Sequence, residues 1–230
     1  VHAITAKANM EELEKIFTSP TLQMVSFTIT EKGYSLIDAS GNYHPDVQQD
    51  LHANHQNPKT LMGIITYLCY KRYQAGKYPV ALVSLDNCSQ NGSKLYSAIK
   101  TFADTWAKNG LVDEGFSDYI ADSKLVSFPW TMIDKITPRP SEQVKKVLEE
   151  DGIEDAEIVK TSKNTYVSSF VNAEETQYLV IEDAFPNSRP PLEKAGIIFT
   201  DRQTVDKVEK MKVGTCLNPL HTILAIYGCL

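Results

Sequence analysis

Three polar stretches of the sequence carry side chains that can bind a small ligand. One is Thr-Glu-Lys-Gly-Tyr at 30–34, and another is Asp-Asn-Cys-Ser-Gln-Asn-Gly at 86–92. The third places Asn218 and His221 three residues apart, so that on a helix both side chains can point at the same ligand atom. Taken alone, each turn is more simply explained as the cap of the following helix, and a lone histidine among apolar residues is usually a core residue.

The elements around these stretches alternate between strands and helices. Apolar runs at 22–29 and 80–85 are typical of buried strands, and each leads directly into one of the two turns. Helical periodicity follows the Asn-Pro pair at 57–58 as far as Gly76, and returns from 91 to about 107. This alternation predicts an α/β domain with a parallel sheet, in which ligands bind beyond the carboxyl ends of the strands.

The rest of the chain is less regular. The mixture of aromatic, proline and charged residues at 128–138 is typical of a functional loop. From about 204 the pattern is helical and apolar to the last residue, which predicts that the chain is a fragment of a longer protein. The other predicted elements are a short helix at 9–17, a capped helix at 141–150, strands at 165–171 and 177–181, and a proline-rich loop at 185–191.

Composition argues against several classes of partner. Lys and Arg number 23 against 29 Asp and Glu, and they are scattered rather than gathered into a stripe, so nucleic-acid binding is not expected. No apolar run approaches the roughly 18 residues that cross a bilayer, and no export signal is recognisable. We therefore expect a cytoplasmic protein without membrane contact, with reduced thiols at Cys69, Cys88, Cys216 and Cys229.

Taken together and in this order, the stretches resemble the mannitol dehydrogenase family, the polyol-specific long-chain dehydrogenases that include fructuronate and tagaturonate reductases. That family carries a TE-x-GY turn, a DN-x3-NG turn, an FP-x2-M-[VI]-D-[RK]-I-T-P segment, an IED-x-FP-x2-RP loop and a C-terminal N-x2-H helix. The five motifs begin here at Thr30, Asp86, Phe128, Ile181 and Asn218 and span nearly the whole chain.

The resemblance implies a Rossmann-like domain at 1–200 and the start of a mostly helical domain at 201–230, with the active site between the two domains. The sequence holds no GxGxxG turn for the cofactor pyrophosphate. The first βαβ element of the Rossmann fold is therefore expected to precede Val1, and the 230 residues alone are not expected to turn over substrate.

The same resemblance implies hydride transfer between a sugar alcohol or sugar acid and its ketone, with NAD (NADP being possible) and without a metal. The family base is a lysine upstream of the N-x2-H pair, and Lys212 is the preferred candidate over Lys210. Asn87 and Asn218 would hold the developing oxyanion, because amide donors stabilise an alkoxide where water is excluded. His221 would orient substrate hydroxyls.

The position of the lysine departs from the family pattern. The family lysine stands five residues before the asparagine, where this chain has Val213, whereas Lys212 stands six before Asn218. Gly214 permits an irregular backbone, and Pro219 cannot complete the helical hydrogen-bond pattern. We expect a π-type bulge here, because one extra residue in the helix would bring Lys212 back into line.

The remaining site residues follow from the same resemblance. A hexuronate reductase needs a cation for the substrate carboxylate, whereas a polyol enzyme needs only hydroxyl partners, and both substrate classes stay open, as does the oligomeric state. The expected cofactor contacts are Thr30, Glu31, Asp86, Asn87 and Asp134, and the expected substrate contacts are Asn91, Lys135 and Arg189.

Two other functional classes compete with this interpretation. The first is a zinc protein, because His52 and His55 have ligand-like spacing and Cys216 and His221 lie five residues apart. The histidine pair lacks a cysteine or carboxylate partner at a fixed offset, so zinc is not expected. The second is a binding module that keeps the scaffold without its chemistry, and the absent glycine-rich turn is its best support.

Overall fold

The computed structural model describes residues 7–53, 55–135, 137–162, 164–173, 175 and 177–228. Their backbone contacts form two compact units, the first from the described parts of Val1–Met132 and Val180–Leu230 and the second from those of Ile133–Leu179. The division predicted from the sequence, a Rossmann-like domain over 1–200 and the start of a helical domain at 201–230, stays a prediction. No helix in the described ranges is long and apolar enough to cross a membrane.

In the first unit, helices separate the three strands of the main sheet. The α-helices are α1 (Lys7–Thr18), α2 (Thr30–Tyr34), α3 (Pro45–His52), α4 (Leu61–Gly76), α5 (Asn91–Lys108), α6 (Gly115–Ala121), α7 (Glu142–Glu150), α8 (Arg202–Glu209) and α9 (Asn218–Tyr227). The strands are β1 (Met24–Phe27), β2 (Val80–Ser84), β3 (Val126–Ser127), β4 (Thr131–Asp134), β5 (Val159–Lys160), β6 (Tyr166–Val167), β7 (Tyr178–Glu182) and β8 (Ile198–Thr200). A 3-10 turn covers Leu192–Ala195, and a π-helical segment covers Lys210–Leu217.

The main sheet has the order β1-β2-β3, and both strand pairs are parallel. The central strand β2, Val-Ala-Leu-Val-Ser, is buried along its whole length, as an apolar strand covered on both faces should be. Helix α4 makes the crossover from β1 to β2, and α5 with α6 makes the crossover to β3. The predicted α/β fold with a parallel sheet is confirmed, and the two predicted strands are shorter than their apolar runs.

A second sheet has the order β4-β7-β8, in which β7 and β8 are parallel. Between β4 and β7 the chain forms α7, capped by Ser141 as predicted, and the short antiparallel hairpin β5-β6. The strand predicted at 165–171 is wrong beyond Val167. The hydroxyl of Ser168 donates to the carbonyl of Phe170 instead, and such local bonds compete with strand pairing.

The start of α4 differs from the prediction. The sequence predicts Asn57 as the cap and Pro58 as the first helical residue, but Thr60 is the cap, and its Oγ1 accepts from the N–H of Gly63 at 3.2 Å. The buried carboxylate of Asp50 accepts from the backbone and hydroxyl of Thr60, each at 2.7 Å. Because these bonds hold the residues before Thr60 in a loop, the helix begins later in the chain than predicted.

The guanidinium of Arg72 on α4 is fully buried and bonds to both of the segments that lead into β1 and β2. A buried charge is costly unless its donors are all used, and here the partners are backbone carbonyls at 2.6–3.1 Å. Those carbonyls belong to Phe17, Ser19, Leu22, Tyr78 and Pro79.

The N-terminus of α5 packs directly on the backbone that leads into β4. A Cβ atom at Gly92 would lie 2.5 Å from the carbonyl oxygen of Phe128 and 2.8 Å from that of Pro129. Real Cβ contacts are not that short, and both atoms belong to backbone that cannot swing away. The glycine of the DN-x3-NG motif is therefore required by close packing against the FP motif.

Replacing Arg72 by Met should destabilise the protein by at least about 3 kcal/mol, because buried carbonyls would lose their donors. Arg139→Met is the matched control, since Arg139 is exposed, and it should change the free energy of unfolding by less than about 1 kcal/mol. Urea unfolding of the full-length protein measures both. Equal effects of the two substitutions would contradict the role given to Arg72.

Gly92→Ala should destabilise the protein by about 1–3 kcal/mol, because the added methyl group must displace backbone. Gly214→Ala is the control for the same chemical change, since among the described residues no heavy atom beyond its chain neighbours and its own helix backbone lies within 4 Å of its Cβ position. Thermal unfolding of the two variants distinguishes them. A Gly92→Ala protein as stable as Gly214→Ala would show that the contact with Phe128 and Pro129 is not tight.

Candidate active site

The carboxylate of Asp86 joins the turns that follow β1 and β2. It accepts hydrogen bonds from the backbone N–H groups of Ile29 at 3.1 Å and Thr30 at 2.8 Å, and from the hydroxyl of Tyr34. Thr30 has a left-handed φ of 63°, a strained value for a β-branched residue that these bonds hold in place. Burial and the hydrogen bond to Asp86 raise the pKa of Tyr34, so the phenol stays a donor.

Two predicted cofactor residues, Thr30 and Asp86, are therefore bonded to each other. The predicted contact of the Asp86 carboxylate with a cofactor stays a prediction, but its oxygens already stabilise the turn. Glu31, from the same turn, forms an ion pair with Lys94 on α5. Asn87 directly follows Asp86 and is exposed at the carboxyl end of β2.

Asn91 is placed differently from the expectation that it binds substrate. Its side chain is fully buried, and its amide bonds to the backbone of Asp86 and to Thr131. The structure therefore gives Asn91 a role inside the protein. The sequence offered a signal for this, because an asparagine at the start of a helix often bonds to nearby backbone.

The two turns also line one groove of about 840 Å³. Glu31 and Tyr34 come from the first turn, and Ser89 and Gln90 come from the second. Lys94 lies near the start of α5. The volume lies within the range of small-molecule sites. The groove thus offers a ligand the polar groups of both motifs.

The end of α8 is fastened to the second turn through Glu209. Its nearly buried carboxylate accepts from the hydroxyl of Ser89 at 2.5 Å and from the backbone N–H of Gln90 at 3.1 Å. Glu209 is not among the site residues predicted from the sequence, although an acidic residue three positions before Lys212 lies on the same side of a helix. This contact brings the start of the helix that carries Lys212 to the turn that carries Asn87.

The helix after Glu209 has the predicted π-type irregularity. Between Lys210 and Leu217 the backbone is π-helical, and the N–H of Asn218 bonds to the carbonyl of Val213, five residues back. One residue more than in an α-helical turn is thereby taken up between Lys212 and Asn218. Gly214 lies inside this irregular segment, and its φ is not left-handed.

Three of the four candidate catalytic groups lie along this one continuous helix. Lys212 is half-buried in the π segment, whereas Asn218 and His221 are exposed in the first turn of α9. Lys210, the poorer candidate, is exposed and paired with Asp206 at 2.6 Å. The predicted helical C-terminal part is confirmed.

The predicted cations for a substrate carboxylate have protein partners. Arg189 forms ion pairs with Asp183 at 2.9 Å and Glu193 at 2.5 Å, and its guanidinium lies over the ring of Phe199. A substrate carboxylate would have to compete with these two acids for Arg189.

Two further predicted site residues belong to the second unit. Lys135 donates to the amide oxygen of Gln177. Asp134 ends β4, and burial, together with the nearby charge of Asp134, raises the pKa of Tyr178 to about 12. Their contacts with cofactor and substrate stay predictions.

The residues proposed for a zinc site have other contacts. The ring of His52 bonds to the amide of Asn109 at 3.2 Å, and the ring of His55 packs edge-on against Trp106. Across the described ranges, no three His, Cys, Asp or Glu side chains are grouped so that they could hold a metal ion. Cys69, Cys88 and Cys216 are free thiols, and Cys229 lies outside the described residues.

Comparison with known proteins agrees with the motifs. Residues 1–194 match the family model described as the mannitol dehydrogenase Rossmann domain. The chain is 54% identical over 222 residues to D-mannonate oxidoreductase of Thermotoga maritima, covering 96% of the chain and 41% of that protein. It is 34% identical to mannitol 2-dehydrogenase of Neosartorya fischeri, covering 97% of the chain and again 41% of the relative.

Solved structures show the same likeness. D-sorbitol dehydrogenase in substrate-free form superposes with a TM-score of 0.75 and 29% identity, over 97% of this chain and 42% of the other. The ternary complex of Pseudomonas fluorescens mannitol 2-dehydrogenase with NAD and D-mannitol gives a TM-score of 0.67 and 33% identity, over 88% and 37%. The chain thus spans about two fifths of the length of these relatives. On the family match over 1–194, this chain belongs to the mannitol dehydrogenase family and carries its Rossmann domain.

Proposed function

We propose that the full-length protein interconverts a sugar acid of the mannonate type and its keto acid, using a nicotinamide cofactor. The observation that carries this proposal is the 54% identity to a D-mannonate oxidoreductase, against 33–34% to the mannitol 2-dehydrogenases. A mannitol-type polyol substrate is the second candidate, since those relatives match the chain over the same range.

The residues after β1 and β2 suit the nicotinamide half of a dinucleotide. Both turns stand at the carboxyl ends of parallel strands, where open α/β sheets bind their ligands, and the groove beside them is of suitable size. The bound cofactor would supply hydride exchange, and a structural neighbour was solved with NAD. NAD is therefore the proposed cofactor, with NADP as the alternative.

In the proposed reaction the residues of this chain bind the substrate oxygen and accept its proton. During oxidation, with the bound cofactor as the hydride acceptor, Nζ of Lys212 would take the proton of the substrate hydroxyl group. Asn87 and Asn218 donate hydrogen bonds to the oxygen as negative charge develops there, which is where fixed amide donors are most effective. His221 orients a neighbouring hydroxyl group.

The contacts of Glu209 support this assignment of roles. They hold the helix with Lys212 and Asn218 against the turn with Asn87, and fixed geometry lowers the barrier by removing the need to assemble the groups during the reaction. For the substrate carboxylate, Lys135 and Arg189 both stay candidate cations, and Arg189 would have to exchange its two acidic partners.

The substrate class can be decided with the full-length protein. D-mannonate, D-mannitol and tagaturonate should be assayed with NAD(H) and NADP(H) in the appropriate direction, and we expect the highest kcat/KM with D-mannonate and NAD. D-mannitol is the control, because it lacks the carboxylate. Turnover of mannitol without turnover of mannonate would make the polyol candidate correct.

Lys212→Ala should lower kcat by at least about 10²-fold, as expected when a general base is removed. Lys210→Ala is the matched control two residues away, because its ammonium is exposed and paired with Asp206, and kcat should stay within about twofold. Steady-state kinetics across the pH range compares the two. If Lys210→Ala were the inactive variant, the assignment of the base to Lys212 would be reversed.

A further inference from the structure

The carboxamide of Asn91 joins three segments of the interior. Its Nδ2 donates to the carbonyl oxygen of Asp86 at 2.7 Å and to Oγ1 of Thr131 at 2.8 Å, and it lies 3.4 Å from the carbonyl oxygen of Ser84. Its Oδ1 accepts from the backbone N–H groups of Gly92 at 2.8 Å and Thr131 at 3.1 Å. The end of β2, the following turn and the start of β4 therefore meet on one side chain.

The bond to Asp86 bears directly on the next residue. The carbonyl of Asp86 and the N–H of Asn87 belong to one planar peptide unit, so fixing the carbonyl fixes the plane from which Asn87 departs. The carboxylate of Asp86 is held at the same time by the N–H groups of Ile29 and Thr30. Asp86 is thus held at its carbonyl by the buried amide of Asn91 and at its buried carboxylate by backbone N–H groups. The side chain of Asn87, the next residue, is exposed.

We propose that Asn91 is a positioning residue, whose buried amide fixes the 86–87 peptide and thereby aims the Asn87 carboxamide at the reacting oxygen. The proposal rests on the oxyanion role proposed for Asn87. It differs from the direct substrate contact that the sequence predicts for Asn91, because a side chain with no exposed surface acts here through its neighbour.

An amide is the chemical group that this position requires. The site presents carbonyl oxygens to one end of the side chain and N–H groups to the other, and a neutral carboxamide offers a donor and an acceptor together. An aspartate of the same shape would turn an acceptor toward the Asp86 carbonyl. Thr131 completes the arrangement, because its hydroxyl accepts from Asn91 and donates to the carbonyl of Ser84 at 2.6 Å.

A double-mutant cycle in the full-length enzyme tests the proposal. Asn91→Asp should lower kcat by about 10²-fold with KM within about twofold, since a misplacement near 1 Å costs about that much. In the Asn87→Ala background, which itself should lose about 10²–10³-fold in kcat, the same change should cost less than about threefold. An equal loss of kcat in both backgrounds, or a loss confined to KM, would overturn the proposal.

A second pair of variants covers the case in which Asn91→Asp does not fold. Thr131→Val removes the hydroxyl partner of Asn91 and keeps the side-chain shape, whereas Thr131→Ser keeps the hydroxyl and is the conservative control. Thr131→Val should lower kcat in the wild-type background but not in the Asn87→Ala background. Thr131→Ser should keep most of the wild-type kcat. Equal kcat values for the two variants would contradict the proposal.

A measurement without turnover separates this proposal from the proposed function. Hydrogen exchange of the folded variant should be faster at 86–90 in Asn91→Asp, with β2 and the later turns of α5 still protected. If the wild-type enzyme oxidised none of the sugars but this local change were seen, the proposed function would fail while the positioning of the turn would stand. Unchanged exchange at 86–90 would refute the positioning itself.

Discussion

The site depends on one carboxylate that accepts hydrogen bonds from backbone N–H groups beyond the end of the neighbouring strand. Asp86 follows β2, yet its oxygens hold the backbone of Ile29 and Thr30 after β1. Parallel neighbours end at the same edge of a sheet, but their outgoing loops have no hydrogen-bond ladder to keep them together. A buried acceptor supplies that link, and it allows Thr30 to keep a left-handed backbone that its own side chain disfavours.

A chain of such contacts continues from this carboxylate through the first unit. The carbonyl of the same residue is held by Asn91, Asn91 binds Thr131 at the start of β4, and Glu209 holds the other side of the turn to the end of α8. In each link a side chain bonds to backbone or to a hydroxyl group, and at least one of the two residues is nine-tenths buried or more. Motifs far apart in sequence are in this way parts of one hydrogen-bonded assembly.

Much of this architecture is predictable from sequence, because apolar runs and helical periodicity report burial directly. The parallel sheet, the turns at the ends of β1 and β2, and the capped helix α7 follow from such patterns. The departure of Lys212 from the family spacing was also enough to predict the π segment, since a proline six residues downstream of Val213 disrupts the regular ladder.

The predictions that differ from the structure have a common physical cause. The cap at Thr60 depends on Asp50, ten residues earlier, and the role of Asn91 depends on Thr131, forty residues later. Neither partner is visible in a local pattern, and a polar residue in a motif has the same letter whether it faces a ligand or a carbonyl.

The π-helical segment has a consequence for recognising related chains. A hydrogen bond spanning five residues lets the polypeptide be one residue longer between the lysine and the asparagine, while the helix beyond continues undisturbed. A search that counts letters at a constant offset would select Val213 and report that the base had been lost. Aligning such proteins by backbone hydrogen bonds, with a gap allowed inside the helix, retains the lysine as a candidate in every member that carries the insertion.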